Sequence, residues 1–133
     1  MKKISFKTVL LYTLTALLAF GLGVFALACV IRPQPLDVGE ADLSAVEDGE
    51  YIGVCQNKLL FAVVKVGVRE HQISHVDVLY HKASYMAQAE RIAAEVCAGG
   101  SLETDAISGA TLTCDTVRAA IKNALTAPAA RIS

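Results

Sequence analysis

The stretch of sequence best suited to chemistry is a cluster of small and hydroxyl-bearing residues that runs directly into a predicted helix. It reads Asp105-Ala106-Ile107-Ser108-Gly109-Ala110-Thr111-Leu112-Thr113. A helix N-terminus exposes up to about four unpaired backbone N–H groups and carries about half a positive charge, so it attracts anions. Gly109 and Ala110 would let a phosphate approach the backbone closely, while Ser108, Thr111 and Thr113 offer hydroxyl donors. The cluster therefore predicts a phosphate site, with plain helix capping by a Ser or Thr as the alternative.

Two familiar phosphate-binding motifs are excluded at this position. No Gly-Lys-Ser or Gly-Lys-Thr follows the cluster, as a Walker loop requires, and no spaced glycine pair forms a dinucleotide fingerprint. The chemistry must instead be inferred from the elements that hold the cluster.

The helix after the cluster is predicted from the spacing of its apolar residues, and Pro128 stops it. The residues on its apolar face are Val117, Ala120, Ile121, Ala124 and Leu125. A second helix over 85–98 has a similar pattern and ends at Gly99 and Gly100.

Three strands are predicted before these helices, over 51–54, 59–68 and 73–80, because the segments are rich in β-branched and aromatic residues. The third alternates, with Val76 and Val78 on one face. Strands followed by helices predict an α+β fold, a small antiparallel sheet with helices packed on one face.

An apolar segment over 8–31 precedes the domain and contains no charged residue. As a helix it would be about 36 Å long, enough to cross a hydrocarbon core of roughly 30 Å. Lys2, Lys3 and Lys7 before it and the single Arg32 after it favour a cytoplasmic N-terminus and an extracytoplasmic C-terminal domain. The sequence therefore predicts a single-pass protein of the cell membrane.

Two other fates of this segment compete with an anchor. Ala26-Leu27-Ala28 resembles the pattern before a signal-peptidase cut, and with Cys29 it loosely resembles a lipoprotein box. The apolar run is longer than a usual signal sequence and continues past Cys29, which favours the uncleaved anchor. All three fates export the domain.

The predicted organisation has five parts, and prolines 33 and 35 with Gly39 indicate the third of them. These parts are a cytoplasmic basic segment at 1–7, a transmembrane anchor at 8–31, a linker at 32–47, a folded domain at 48–127 and a tail at 128–133.

Charge and residue spacing argue against two classes of partner. Beyond Arg32 there are eight basic and thirteen acidic residues, a net charge of -5, which does not suit nucleic acid. The histidines and cysteines lack metal-ligand spacing, so no metal site is predicted. For Cys55, Cys97 and Cys114, buried free thiols are favoured over a disulfide that would leave one cysteine unpaired.

The run Asp105 to Thr111 resembles the flavinylation motif of the FMN-binding domain family, which includes exported subunits of sodium-pumping NADH:quinone reductase and Rnf complexes. The likeness extends to Gly49-x-Tyr51-x-Gly53, to the strand–turn–strand over 59–79 and to the closing helix over 114–125. Cys114 departs from the pattern, because members often carry serine after the second threonine. This departure raises the question of a thiol near the phosphate.

The resemblance implies that FMN is joined through its phosphate, as a phosphoester, to Thr111. A separate flavin transferase makes this bond from FAD. Asp105 and Ser108 would serve recognition by the transferase and orient the loop, and the backbone amides from Ala110 to Thr113 would stabilise the phosphodiester. The implied function is an electron carrier, more than a stand-alone enzyme, between a membrane donor and an extracytoplasmic acceptor.

Two alternatives remain open. The domain could hold FMN or another phosphate ligand noncovalently, or it could be a structural exported domain of a membrane complex in which Thr111 only caps a helix.

Overall fold

The protein is described from a computed structural model, which covers residues 5–103 and 111–132. The chain divides into two compact units, Met1–Arg32 and Pro33–Ser133. The first unit contains one helix of 26 residues, α1 (Phe6–Ile31). Among the described residues, α1 is the one helix long and apolar enough to cross a membrane, with a mean hydropathy of 2.5. A signal sequence near the N-terminus would also be this long and apolar. The assignment of α1 as an anchor therefore rests on its length and composition alone.

The second unit is an α+β domain, as the sequence predicts. Its sheet has the order β3-β2-β1-β4, and every neighbouring pair is antiparallel. Its elements are a 3-10 turn (Leu43–Ala45), β1 (Gly49–Asn57), β2 (Leu60–Arg69), β3 (Gln72–Tyr80), a 3-10 turn (Ala83–Tyr85), α2 (Met86–Gly99), α3 (Thr111–Thr126) and β4 (Ala130–Ile132).

The core lies between the sheet and the two helices that cover one of its faces. Every second residue of β2 points into this core and is at most 1% exposed; these are Ala62, Val64, Val66 and Val68. The buried residues of α2 are Ala89, Ile92, Ala93 and Val96. The apolar face predicted for α3 is buried throughout. The apolar faces of the two helices and of the sheet therefore pack together in one layer.

Gly53 in β1 allows α3 to approach the sheet closely. A Cβ atom at this position would overlap the carbonyl oxygen of Ala120 and would lie 2.6 Å from the backbone nitrogen of Ala124. The backbones of β1 and α3 are thus in contact where the glycine removes the side chain. In addition, the Asn123 side chain donates to the Val54 carbonyl at 2.9 Å, which ties the helix to the same strand.

Strand β3 contains two irregularities that the sequence pattern does not reveal. Val68 pairs with Ile73 while Gly67 pairs with His75, so Ser74 is an extra residue, and a second shift lies between Val63 and Val64. Each extra residue reverses the alternation of faces. Val76 and Val78 do pack against the core, as predicted, and Ile73 joins them at 7% exposure although strict alternation placed it on the other face.

The structure differs from the predicted organisation at both ends of the domain. Residues 33–47, expected to be a linker, belong to the same compact unit as the sheet, with Val38 and Val46 in the core. Within the expected tail, residues 130–132 form β4, which pairs with Glu50 to Ile52 of β1. The first segment buries Val38 and Val46 against the core, whereas the exposed β4 is held by its pairing with β1; both contacts are with residues far away in the sequence.

Candidate functional site

Thr111 is the first residue of α3, and its side chain is exposed. Its hydroxyl is therefore accessible to solvent at the N-terminal end of a helix of 16 residues. The backbone N–H groups of the first helical turn lack partners within the helix, and the helix dipole places partial positive charge there. This is the environment that the sequence predicts for a bound phosphate.

The residues after Thr111 turn progressively into the core. Leu112 is half-buried and Thr113 is 3% exposed, so the Thr113 side chain lies inside the domain and not beside the exposed hydroxyl. Cys114 is fully buried, which places its thiol in the core. Thr116 donates its hydroxyl to the Leu112 carbonyl at 2.7 Å. These buried side chains fix the start of α3 on the sheet.

The remaining motif residues, Asp105, Ser108, Gly109 and Ala110, lie outside the described residues. Their predicted roles in recognition, loop orientation and close backbone approach stay predictions. The residues on either side of them are described, and both sides contact the segment between α1 and β1.

On the C-terminal side, this segment contacts α3 through backbone and side-chain hydrogen bonds. The Leu36 N–H donates to the Asp115 carboxylate at 3.3 Å, one turn into α3 from Thr111. Two residues earlier, Gln34 and the buried Asn57 exchange hydrogen bonds of 3.2 and 2.6 Å. Asp115 also lies 4.0 Å from the Arg118 guanidinium. The first turns of α3 are thereby held near the end of β1.

On the N-terminal side, Glu40 binds the turn that follows α2. Its carboxylate accepts hydrogen bonds from the Ser101 hydroxyl, from the Glu103 N–H at 3.0 Å and from the Leu102 N–H at 3.5 Å. The Ser101 hydroxyl contributes most to lowering the pKa of this carboxyl below its ordinary value, and Arg118 adds a smaller attraction. Glu40 is therefore held as a carboxylate by the turn that precedes the motif.

We call the sheet end formed by Asn57, Leu60 and Tyr80 the hairpin end. Asn57 pairs with Leu60 across the β1–β2 hairpin, and Tyr80 pairs with Val63 near the start of β2. The bonds of residues 34 and 36 to Asn57 and Asp115 bring the first turns of α3 to this same end.

His81, the residue after β3, is buried at the hairpin end with 4% exposure. Within the described residues, neither ring nitrogen has a well-aligned hydrogen-bond partner, and the ring makes only a weak hydrogen bond to the Lys82 backbone. Its ring is edge-on to Tyr85 at 6.4 Å between centroids. Burial lowers the pKa of His81, and the Lys82 backbone opposes this in part. A buried imidazole without a well-aligned partner is costly, and native structures rarely leave such a group unsatisfied unless water or a ligand reaches it.

The other titratable groups of the described residues form no comparable centre. No group of three or more His, Cys, Asp or Glu side chains in residues 5–103 and 111–132 could share a metal ion. All four cysteines are free, and burial raises the pKa of the half-buried Cys55 thiol. On the uncovered sheet face, Glu50 contacts Lys65 at 3.7 Å and His75 at 3.4 Å in an exposed charge network.

Sequence reasoning missed the contacts of Glu40, Asp115 and His81. The apolar residues Leu36 and Val38, two apart directly after Pro35, were a weak signal that the segment packs on the domain. No local pattern indicated that Glu40 would reach a turn some sixty residues away, as its bond to Ser101 does. The family resemblance placed His81 among the residues after the third strand that lie near the flavin, but its burial depends on tertiary packing and has no local signal.

Comparison with known proteins agrees with the geometry. Residues 61–126 match the profile of the FMN-binding domain family. This region runs from β2 to the end of α3 and includes all of the motif from Asp105 to Thr113, whereas the Gly49 to Gly53 opening lies before it. No curated protein matches the chain. The globular unit therefore carries a domain of the FMN-binding domain family.

Proposed function

We propose that this chain is a membrane-anchored, extracytoplasmic electron carrier with FMN esterified through its phosphate to Thr111. The observation that carries the proposal is the exposed Thr111 hydroxyl at the first residue of α3, within the region that matches the FMN-binding domain family. An N-cap residue alone would also be exposed. The family match and the motif before Thr111 favour attachment over capping.

Two features of the hairpin end fit FMN. The N–H groups and the positive end of the α3 dipole suit the negative charge of a phosphodiester at Thr111. The ring nitrogens of His81, which lack well-aligned partners among the described residues, offer one donor and one acceptor in the neutral imidazole, which suits the polar groups of a flavin. Because burial favours the neutral form, His81 would act through hydrogen bonds and not as a counter-ion.

The attachment step is balanced as a phosphoryl transfer from FAD. The Thr111 oxygen forms a bond to the phosphorus on the FMN side, the bond between the two phosphates breaks, and AMP leaves. The hydroxyl proton passes to a base or to water. A separate flavin transferase would supply the catalytic groups, so the domain itself needs only a reachable hydroxyl and a fixed helix start.

When bound, FMN supplies one- and two-electron redox chemistry. The protein contributes position and electrostatics: the buried Thr113 and Cys114 hold the helix start, and α1 would keep the domain at the membrane. We place the domain outside the cytoplasm because lysines precede α1 and a single Arg32 follows it. The donor would lie in the membrane and the acceptor outside it.

The proposal is tested by producing the full chain together with a flavin transferase and measuring its intact mass and its flavin fluorescence after denaturation. The wild-type chain should gain the mass of one FMN less one water and stay fluorescent. Thr111→Ala should lose both signals completely, because no oxygen remains to be esterified.

Thr126→Ala is the matched control, since Thr126 is an exposed threonine at the other end of α3. It should be flavinylated like the wild type. If denaturation removes the flavin from the wild-type chain, the noncovalent binding module stands instead. If the folded chain binds no flavin at all, the domain is structural.

A further inference from the structure

The segment between α1 and β1 contacts both described flanks of the motif. Glu40 accepts three hydrogen bonds from residues 101–103, which directly precede the motif region. Leu36, four residues earlier, donates its N–H to Asp115 in the turn after Thr111. Residues 36–40 therefore contact both the turn at 101–103 and the second turn of α3.

This bridge is anchored in the domain by packing as well as by polar contacts. Val38, between the two contact points, is 6% exposed and belongs to the core, and Leu36 packs against it. The Gln34 and Asn57 hydrogen bonds fix the start of the same segment. Glu40 itself is exposed, but the buried Val38 two residues before it ties its backbone to the core.

We propose that Glu40 is a positioning residue for flavinylation, which holds the turn at 101–103 so that Thr111 and the residues before it are presented to the flavin transferase. This inference rests on the proposed function and deepens it. Residue 40 lies before the region matched by the family profile, at 61–126, so the proposed role depends on this chain's own packing.

The electrostatics of the contact agree with such a role. The hydrogen bonds from Ser101 and from the backbone of residues 102 and 103 lower the pKa of Glu40, because they stabilise the carboxylate form relative to the neutral acid. The charged group and its N–H and O–H donors form the stronger, charge-assisted kind of hydrogen bond. A neutral amide in its place would keep the shape but weaken each of these bonds.

The chain offers a closely matched control in Asp42. Its carboxylate also accepts a backbone N–H and a hydroxyl, both from Ser44 at 3.0 and 2.6 Å, within the same segment. These bonds cap the 3-10 turn over Leu43–Ala45 and do not reach residues 101–103. Asp42→Asn therefore removes a comparable charge without touching the flank of the motif.

The test uses the full chain in detergent as substrate for a flavin transferase, with FAD, and compares wild type, Glu40→Gln, Ser101→Ala and Asp42→Asn. We expect kcat/KM for flavinylation to fall about tenfold in Glu40→Gln and in Ser101→Ala, as loss of a charge-assisted contact implies. In the double variant Glu40→Gln/Ser101→Ala, kcat/KM should fall no further than in either single variant, because the two residues share one contact. Asp42→Asn should match the wild type.

Two further measurements distinguish positioning from general stability and from failure of the proposed function. Urea unfolding of each unflavinylated chain should show that Glu40→Gln stays fully folded under assay conditions. Amide hydrogen exchange of the peptide spanning 101–113 should be faster in Glu40→Gln and unchanged in Asp42→Asn.

Equal rates of flavinylation in wild type and Glu40→Gln would overturn the inference. If the wild type itself is never flavinylated, the proposed function fails, and the exchange measurement then decides alone. Faster exchange confined to 101–113 would support positioning by Glu40, and unchanged exchange would refute it.

Discussion

At the scale of single residues, His81 is the buried side chain whose position bears most directly on the candidate site. Its imidazole is buried, its ring nitrogens lack well-aligned partners among the described residues, and it lies at the hairpin end, near which the first turns of α3 are held. Such a residue stabilises nothing by itself, because its polar atoms are desolvated with little compensation. The domain keeps it at some cost in stability, which is the behaviour expected of a group that serves a ligand.

The burial of His81 predicts how stability depends on pH. Its pKa in the folded chain lies below the ordinary value of 6.5, so the unfolded chain takes up a proton that the folded chain resists. The contribution of His81 to the free energy of unfolding should be constant above pH 6.5. It should decrease as the pH drops from 6.5 towards the lowered pKa of the folded chain.

His81→Phe should remove this contribution, since phenylalanine binds no proton. Urea unfolding of the full chain at pH 7.5 and 5.5, about one unit either side of the ordinary histidine pKa, measures the effect. The wild type should lose more stability between these two pH values than the variant. Equal losses in the two proteins would contradict the burial assigned to His81.

At the scale of elements, the spacing of apolar residues predicted most of the helices and strands, but it predicted neither β4 nor the packing of the segment before β1. Strands β1 to β3 and helices α2 and α3 follow from runs of β-branched residues and from apolar residues at helical spacing. β4 did not, because three residues carry too little pattern and their partner Ile52 is far away in the sequence. The packing of Val38 and the contacts of Glu40 depend on tertiary structure, which a composition typical of linkers conceals.

The contact between α3 and β1 predicts a large effect for a small substitution. Gly53→Ala would place a methyl group against the backbone of Ala120 and Ala124, so the helix must move away from the sheet. We expect a loss of about 1–3 kcal/mol in the free energy of unfolding, as for overpacked cores. Urea unfolding of the full chain measures it.

Gly99→Ala is the control for this substitution. Gly99 is the last residue of α2, and an added Cβ there would meet nothing within 4 Å. Alanine favours the helix, so this variant should be neutral or slightly more stable. If Gly53→Ala unfolds at the same urea concentration as Gly99→Ala, the close approach of α3 to β1 is wrong.

At the scale of the whole molecule, the fate of α1 decides where the domain acts. A helix of 26 residues is about 39 Å long and exceeds the roughly 30 Å of a hydrocarbon core. We expect the full chain to stay in the membrane fraction after alkaline extraction, and Cys29→Ser to behave in the same way. A wild-type chain in the membrane fraction whose intact mass lacks residues 1–28 and includes added acyl chains would show a lipid anchor at Cys29, and a shortened wild-type chain in the soluble fraction would show cleavage.

The extra residue at Ser74 in β3 has a consequence for self-association. β3 is an edge of the sheet, and a regular edge strand offers its free N–H and C=O groups to a second copy. The irregularities in β3 break this row and twist the strand, while the charged Asp77 lies along it. Domains concentrated on a membrane surface would therefore resist sheet-to-sheet aggregation, and deletion of Ser74 would make the edge regular enough to template it.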